Sequence, residues 1–333
     1  MDDASPRRHL GELFAALAAM GFGSAYVATS FSLEAFGPLP AAAWRTALAA
    51  IAVGTVLALL TVRGRRGRSG AAAGPGPAAG SAVAPTLAAR GVRLLVMSTL
   101  AGPLFLSSMN FAVAHVGAAI ASFVAGLYAV LAAVIAPVLL PERLTARVLA
   151  GFVLAVVGTA MLAELAPAAT DLAGMGWGVL AAVCFALYLV LTRRWSGPYR
   201  LGGLTVALSN STLTAVVLGG FLLATDPASL APSTPSAQAI LALVWMALVA
   251  AAGPILTVAS LRRVPAARSA AFLLLNPVTA TVLAVALLGE RPSALQIAGG
   301  LLVLLGMAAA TVPGRAGRST APGGARREAV RPQ

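Results

Sequence analysis

Residues 118–158 read AAIASFVAGLYAVLAAVIAPVLLPERLTARVLAGFVLAVVG, and residues 266–306 read AARSAAFLLLNPVTATVLAVALLGERPSALQIAGGLLVLLG. Aligned without a gap, they place Val130 on Val278, Leu139-Leu140 on Leu287-Leu288 and Glu142-Arg143 on Glu290-Arg291. Ala150-Gly151 falls on Ala298-Gly299 and Gly158 on Gly306, at a constant spacing of 148 residues. Self-similarity at a fixed spacing marks a duplicated unit. Both copies are almost wholly apolar, and internal symmetry in an apolar chain is the usual ground plan of a transporter.

Composition places the whole chain in lipid. It is 59% hydrophobic and 10% charged, with a mean hydropathy of +0.91, more apolar surface than a water-facing fold can hide. The net charge of +13 comes from 23 basic residues that are all arginine. They lie between apolar runs rather than in aromatic-interleaved patches, so no nucleic-acid partner is expected.

Apolar runs of roughly 20 residues are the length that crosses a bilayer as helix. Ten are expected, at 12–31, 39–61, 92–113, 118–140, 145–164, 174–192, 201–224, 237–260, 265–288 and 293–312. Arginine is retained on the cytoplasmic side of a membrane. Of the 23 arginines, 21 fall at the N-terminus, in the tail or in loops after even-numbered spans, leaving Arg45 inside a span and Arg291 on the other side. Both termini are therefore expected in the cytoplasm of a multi-pass plasma (inner) membrane protein. Five spans per copy is an odd number, so the second copy must cross upside down. The expected fold is all-α integral membrane, with ten transmembrane helices as two inverted five-helix repeats. The first repeat takes residues 1–164, with a disordered cytosolic linker at 62–91. The second takes 165–312, and a disordered cytosolic tail takes 313–333; Gly, Pro, Ala and Arg dominate the linker and the tail. The opening SPRRHLGELF reads as the approach to the first span, since no convincing cleavage site follows it. The single cysteine, Cys184, allows no intrachain disulfide.

The order of spans, the segment GLYAVLAAVIAPVLLPERL with its second copy LLLNPVTATVLAVALLGERPSALQIAGGLLVLLG, and Arg45 in AAAWRTALA resemble the EamA-type transporters of the drug/metabolite transporter superfamily. The resemblance covers the chain apart from linker and tail. It implies export of small metabolites, especially amino acids and their relatives, and in some members drugs. One departure is that Pro277 of the second copy is matched by Ala129 in the first.

Polar groups held within lipid are the candidates for substrate contact. Arg45 reads as a clamp for a substrate carboxylate, or as a cation that snorkels outward or pairs with Glu34 or Glu290. Asn276 and Tyr128 occupy equivalent places near mid-span, where symmetric transporters hold substrate; helix–helix hydrogen bonding and plain packing are the competing readings. Pro277 frees a carbonyl in the preceding turn. The triplet Ala-Gly-Pro recurs at Gly102-Pro103 and Gly253-Pro254, three residues out of register, as a gating hinge or a static bend. Ser107, Ser108 and Asn110 follow the first triplet, and Thr257 and Ser260 the second, lining a pore or bonding back to their own helices. Tyr26, Tyr188 and Trp245 would wall a pocket or join an interfacial belt. Glu142 and Glu290 read as charges that neutralise helix ends.

No Asp or Glu lies mid-span, and the only histidines are His9 and His115, so a proton relay lacks members. Enzyme motifs, a P-loop and cofactor signatures are absent from the sequence; no enzyme activity and no cofactor or metal are expected. The expected function is a secondary-type transporter with a small-molecule substrate, working by alternating access as a facilitator or exchanger. A drug or lipid-linked sugar exporter on the same fold and a non-transporting scaffold or sensor are the alternatives.

Overall fold

The computed structural model describes residues 5–68, 87–140, 146–164, 169–196, 201–233, 236–261, 263, 272 and 275–311. Residues 69–86 of the linker, the pair Glu142-Arg143 and the tail lie outside the described residues.

Every regular element among the described residues is helical, as hydrocarbon requires of a chain whose peptide groups find no water. The helices are α1 Ser5–Leu33, α2 Pro38–Arg68, α3 Leu87–Thr99, α4 Phe105–Gly126, α5 Tyr128–Leu139, α6 Ala146–Glu164, α7 Ala169–Ser196, α8 Gly203–Thr225, α9 Ala237–Leu261, α10 Leu275–Leu283 and α11 Ala294–Thr311. Among the described residues, six helical segments are long and apolar enough to cross a membrane, and three shorter helices are also apolar. The chain is thus an all-α, multi-pass membrane protein. Helix reaches further into the expected linker than its composition suggested: α2 continues to Arg68 and α3 begins at Leu87. Arginine and alanine are strong helix formers, and a helix already nucleated in lipid extends cheaply past the headgroups.

The longest apolar segment, Leu87–Leu139, has 53 residues, about 80 Å as one straight helix. Two features divide it. A π-helical turn, Leu100–Leu104, holds the Gly102-Pro103 pair, with Gly102 at φ −94° and ψ −105°. Farther on, Gly117 interrupts α4 at φ 78° and ψ 171°, a conformation that L side chains rarely adopt. The break strands the first N–H groups of the next helical turn. Glu290 takes them: its carboxylate accepts from Ala118 N at 3.0 Å and from Ala119 N at 3.4 Å. A Cβ on Gly117 would sit 3.0 Å from Glu290 Oε1, so glycine supplies both the angle and the room. Glu290 itself is presented by a second π-helical turn, Ala284–Leu288, which ends on left-handed Gly289 at φ 68°.

Helix pairings recur. α1 packs along α9 and α7 along α4; α1 meets α10 and α7 meets α5; α2 meets α8, and α6 meets α11 most extensively of all. The α6–α11 contact is made through glycine. A Cβ on Gly158 would lie 2.6 Å from Gly299 O and 2.8 Å from Val303 N, and one on Gly306 would lie 2.5 Å from Gly151 O and 2.8 Å from Ala155 N. Small residues let backbones touch where lipid gives no hydrophobic drive to associate. As residue numbers rise along α6, their partners fall along α11, so the two helices run antiparallel.

Gly158→Leu and Gly306→Leu should each destabilise the protein by about 1–3 kcal/mol through overpacking. Gly219→Leu, built where nothing lies within 4 Å, should be neutral. Thermal unfolding of the three variants in detergent checks this, and equal behaviour of all three would remove the glycine contact from the fold's support.

Candidate functional site

Arg45 lies seven residues into α2, about 10 Å along its axis from Pro38, and is 2% exposed. It neither snorkels nor pairs with Glu290, whose carboxylate is held by Ala118 and Ala119. Among the described residues, its Nη1 meets the Met246 sulfur, at 3.5 Å, and its Nε and Nη2 have no hydrogen-bond partner. Thioether sulfur is a weak acceptor, so a guanidinium is buried with its side-on pair of N–H groups unmatched, a costly state in hydrocarbon. That same edge is the one that grips a carboxylate with two parallel hydrogen bonds.

Of the other expected residues, Tyr26 interacts with it directly, and Tyr128 and Asn276 follow in a chain from Tyr26. Tyr26 of α1, buried in the core formed with Met109, Ala280 and Ala284, is within electrostatic range of Arg45 and of Tyr128. Tyr128 opens α5, and its hydroxyl interacts with the Asn276 side chain of α10. Gly23, one turn before Tyr26, lies directly against the Asn276 carbonyl and Thr279, which locks α1 to α10 and sets Tyr26 beside the pair. Asn276 is 5% exposed, and its Oδ1 accepts nothing. Asn110 on α4 is fully buried. It donates through Nδ2 to Pro38 O at 2.8 Å and leaves its own Oδ1 unmatched. Unpaired donors on Arg45 and unpaired acceptors on Asn276 and Asn110 all lie in the buried interior, with Asn110 at the Pro38 end of α2.

Other expected residues lie elsewhere. Trp245 is 48% exposed and donates to Ser24 Oγ at 2.9 Å, on the outer flank of α9; its neighbour Met246 points inward. Ser260 is buried in the last turn of α9, fourteen residues and about 21 Å from Met246. Tyr188 belongs to a second polar group that the sequence reading did not assemble. Its side chain interacts with Asn210 and Thr192, and Ser98 Oγ bonds to Ser209 Oγ and to Asn210 Oδ1, each at 2.8 Å. The run Ser209-Asn210-Ser211-Thr212 in otherwise apolar α8 was the available signal. Phe185 joins the two groups, with its ring centroid 4.8 Å from Tyr128 and 5.5 Å from Tyr188.

The hinge candidates differ from one another. Gly102 packs against Thr214 and the Asn210 carbonyl at a real break, whereas α9 runs continuously through Pro254, with Gly253 covered by the Phe22 ring. Pro277 is buried in the first described turn of α10. No group of three or more metal-binding side chains occurs among the described residues.

A protein of known crystal structure shares 21% sequence identity with this chain at a TM-score of 0.58, over 92% of this chain and 96% of its own length. It shows the fold alone. No curated protein matches the chain. The family model described as EamA-like transporter family matches twice, over residues 9–163 and 172–312. With nearly all of the chain matched, once in each half, it belongs to the EamA-like transporter family, whose members are membrane transporters and not enzymes.

Proposed function

We propose that this transporter works by alternating access between two inverted five-helix halves, 1–164 and 165–312, and that its substrate is a small amino acid or close relative, exported from the cytoplasm across the plasma membrane. Several features support inverted halves. The break at Gly117 in the longest apolar segment supports reading that segment as two crossings, and the chain as ten. The partners of Gly158 are, residue for residue, the counterparts 148 positions on of the partners of Gly306. A contact that maps onto itself in this way has a two-fold axis. Because α6 and α11 are antiparallel, that axis is perpendicular to both helices and lies in the membrane plane, the signature of an inverted repeat. The arginine distribution favours cytoplasmic termini.

The observation that carries the substrate reading is the open edge of Arg45, with Nε and Nη2 both buried and unmatched. A substrate carboxylate satisfies both groups at once. The unmatched Asn276 Oδ1 then accepts from the substrate ammonium, and Tyr26 and Tyr128 provide an amphipathic wall between the charged ends. Transport follows from differential occupancy: the two halves rock about this site and expose it to each side in turn.

Counterflow in proteoliposomes loaded with an amino-acid mixture tests the reading. Saturable uptake of a labelled amino acid is expected, and its amide analogue, which lacks the carboxylate, should exchange poorly. Arg45→Met should lower exchange efficiency by about 30- to 100-fold, the loss of a charged bidentate contact. Arg45→Lys should recover little, since an ammonium cannot reproduce the fork. Exchange of lipophilic cations without amino acids would replace this substrate with drugs.

Asn276→Ala should lower exchange by roughly ten-fold with membrane insertion intact. Normal flux in that variant would take Asn276 out of the site.

A further inference from the structure

A groove of about 510 Å³ lies between the second half of α4, α10 and α11, away from the Arg45 site. Its floor is apolar, with Ile120, Phe123, Val282, Ile297, Leu301 and Leu304 among its lining, while Glu290 and Arg291 stand at its polar end. Val282, Ile297 and Leu301 are exposed, so the groove opens sideways, toward lipid. From Gln296 to Leu304 the trough follows α11 for eight residues, about 12 Å, which is the upper half of an acyl chain measured inward from the headgroup level.

The polar end is unbalanced. The Glu290 carboxylate is committed to Ala118 N and Ala119 N, where the positive end of a helix also takes up its charge. Arg291 is exposed and has no acidic partner among the described residues. It is also the one arginine that the sequence places in a loop on the side opposite to the other loop arginines, against the usual retention of arginine on the cytoplasmic side. A lone guanidinium at the mouth of an acyl-sized trough, in a wall that faces the bilayer, matches one ligand chemistry.

We propose that this groove is a seat for an anionic phospholipid, with the phosphate on Arg291 and one acyl chain in the trough along α11. The seat rests on the groove's own geometry; only its assignment to the outer leaflet depends on the topology proposed above. A zwitterionic lipid offers the same phosphate with a compensating ammonium, for which Glu290 has no free charge, so headgroup selectivity follows from the Glu290 clasp.

The test uses the full chain in nanodiscs containing phosphatidylglycerol or phosphatidylethanolamine with a photoreactive group on one acyl chain, and maps crosslinked peptides by mass spectrometry. Labelling of α11 around Ile297 and Leu301 is read against labelling of Val216 and Phe221, exposed on α8. This ratio should be about five-fold higher for phosphatidylglycerol, the selectivity of one interfacial arginine. Arg291→Ala should abolish the preference; the side chain is exposed at the end of a loop, so the fold survives its loss. An equal ratio for the two lipids, or an unchanged preference in Arg291→Ala, overturns the proposal. Suppression of α11 labelling by soluble glycerol phosphate also overturns it, in favour of a site for a water-borne phosphate ester. Amino-acid counterflow is scored separately, so loss of the lipid seat and loss of the transport reading give different results.

Discussion

Hydrocarbon offers no hydrogen-bond partner to a peptide group, and that constraint governs the rest of this structure. A chain in lipid cannot simply stop being helical; each interruption must bring its own partner. At Gly117 the partner is a carboxylate from a distant segment, Glu290, fixed by a π-helical turn and a left-handed glycine. The break in α4 therefore also ties the first part of the chain to a segment about 170 residues on. The backbone touches between α6 and α11 have the same origin: with no hydrophobic gain available between helices in lipid, close packing of glycine is what remains.

Arg45 departs from this economy of satisfied groups. Three helices bring tyrosines and an asparagine to its surroundings, yet two of its nitrogens have no partner. Real proteins break local rules at functional sites. The second polar group, around Asn210, is more fully bonded: Ser98 Oγ bonds to both Ser209 and Asn210, although Thr192 Oγ1 beside Tyr188 has no hydrogen-bond partner among the described residues. The two polar groups are linked through the Phe185 ring, which packs on both Tyr128 and Tyr188.

Much of the helical framework was legible in the sequence, because span length and arginine placement are one-dimensional signals. The expected boundary between 113 and 118 lies at the Gly117 break, and expected spans at 145–164 and 237–260 became α6 and α9 within a residue or so. Arg45, Tyr26, Tyr128 and Asn276 stood out by residue type as candidates. What could not be read was facing. A soluble helix betrays its buried face by polarity, but here lipid and protein interior are both apolar, so the pattern around Trp245 and Met246 carries no direction. Nor does any local feature of Met246 announce that it lies against a guanidinium from another helix. Glu290 was read correctly as a helix-end charge, though the helix it serves lies about 170 residues away in sequence, a pairing only the fold can supply.

The facing of α9 has an optical consequence. Successive helical residues point about 100° apart, so exposed Trp245 and Met246 against Arg45 move as one rigid unit. A rotation of α9 that withdraws the sulfur from the guanidinium must also turn the indole and strain its bond to Ser24. The protein thus carries a native fluorophore coupled by backbone geometry to the Arg45–Met246 contact.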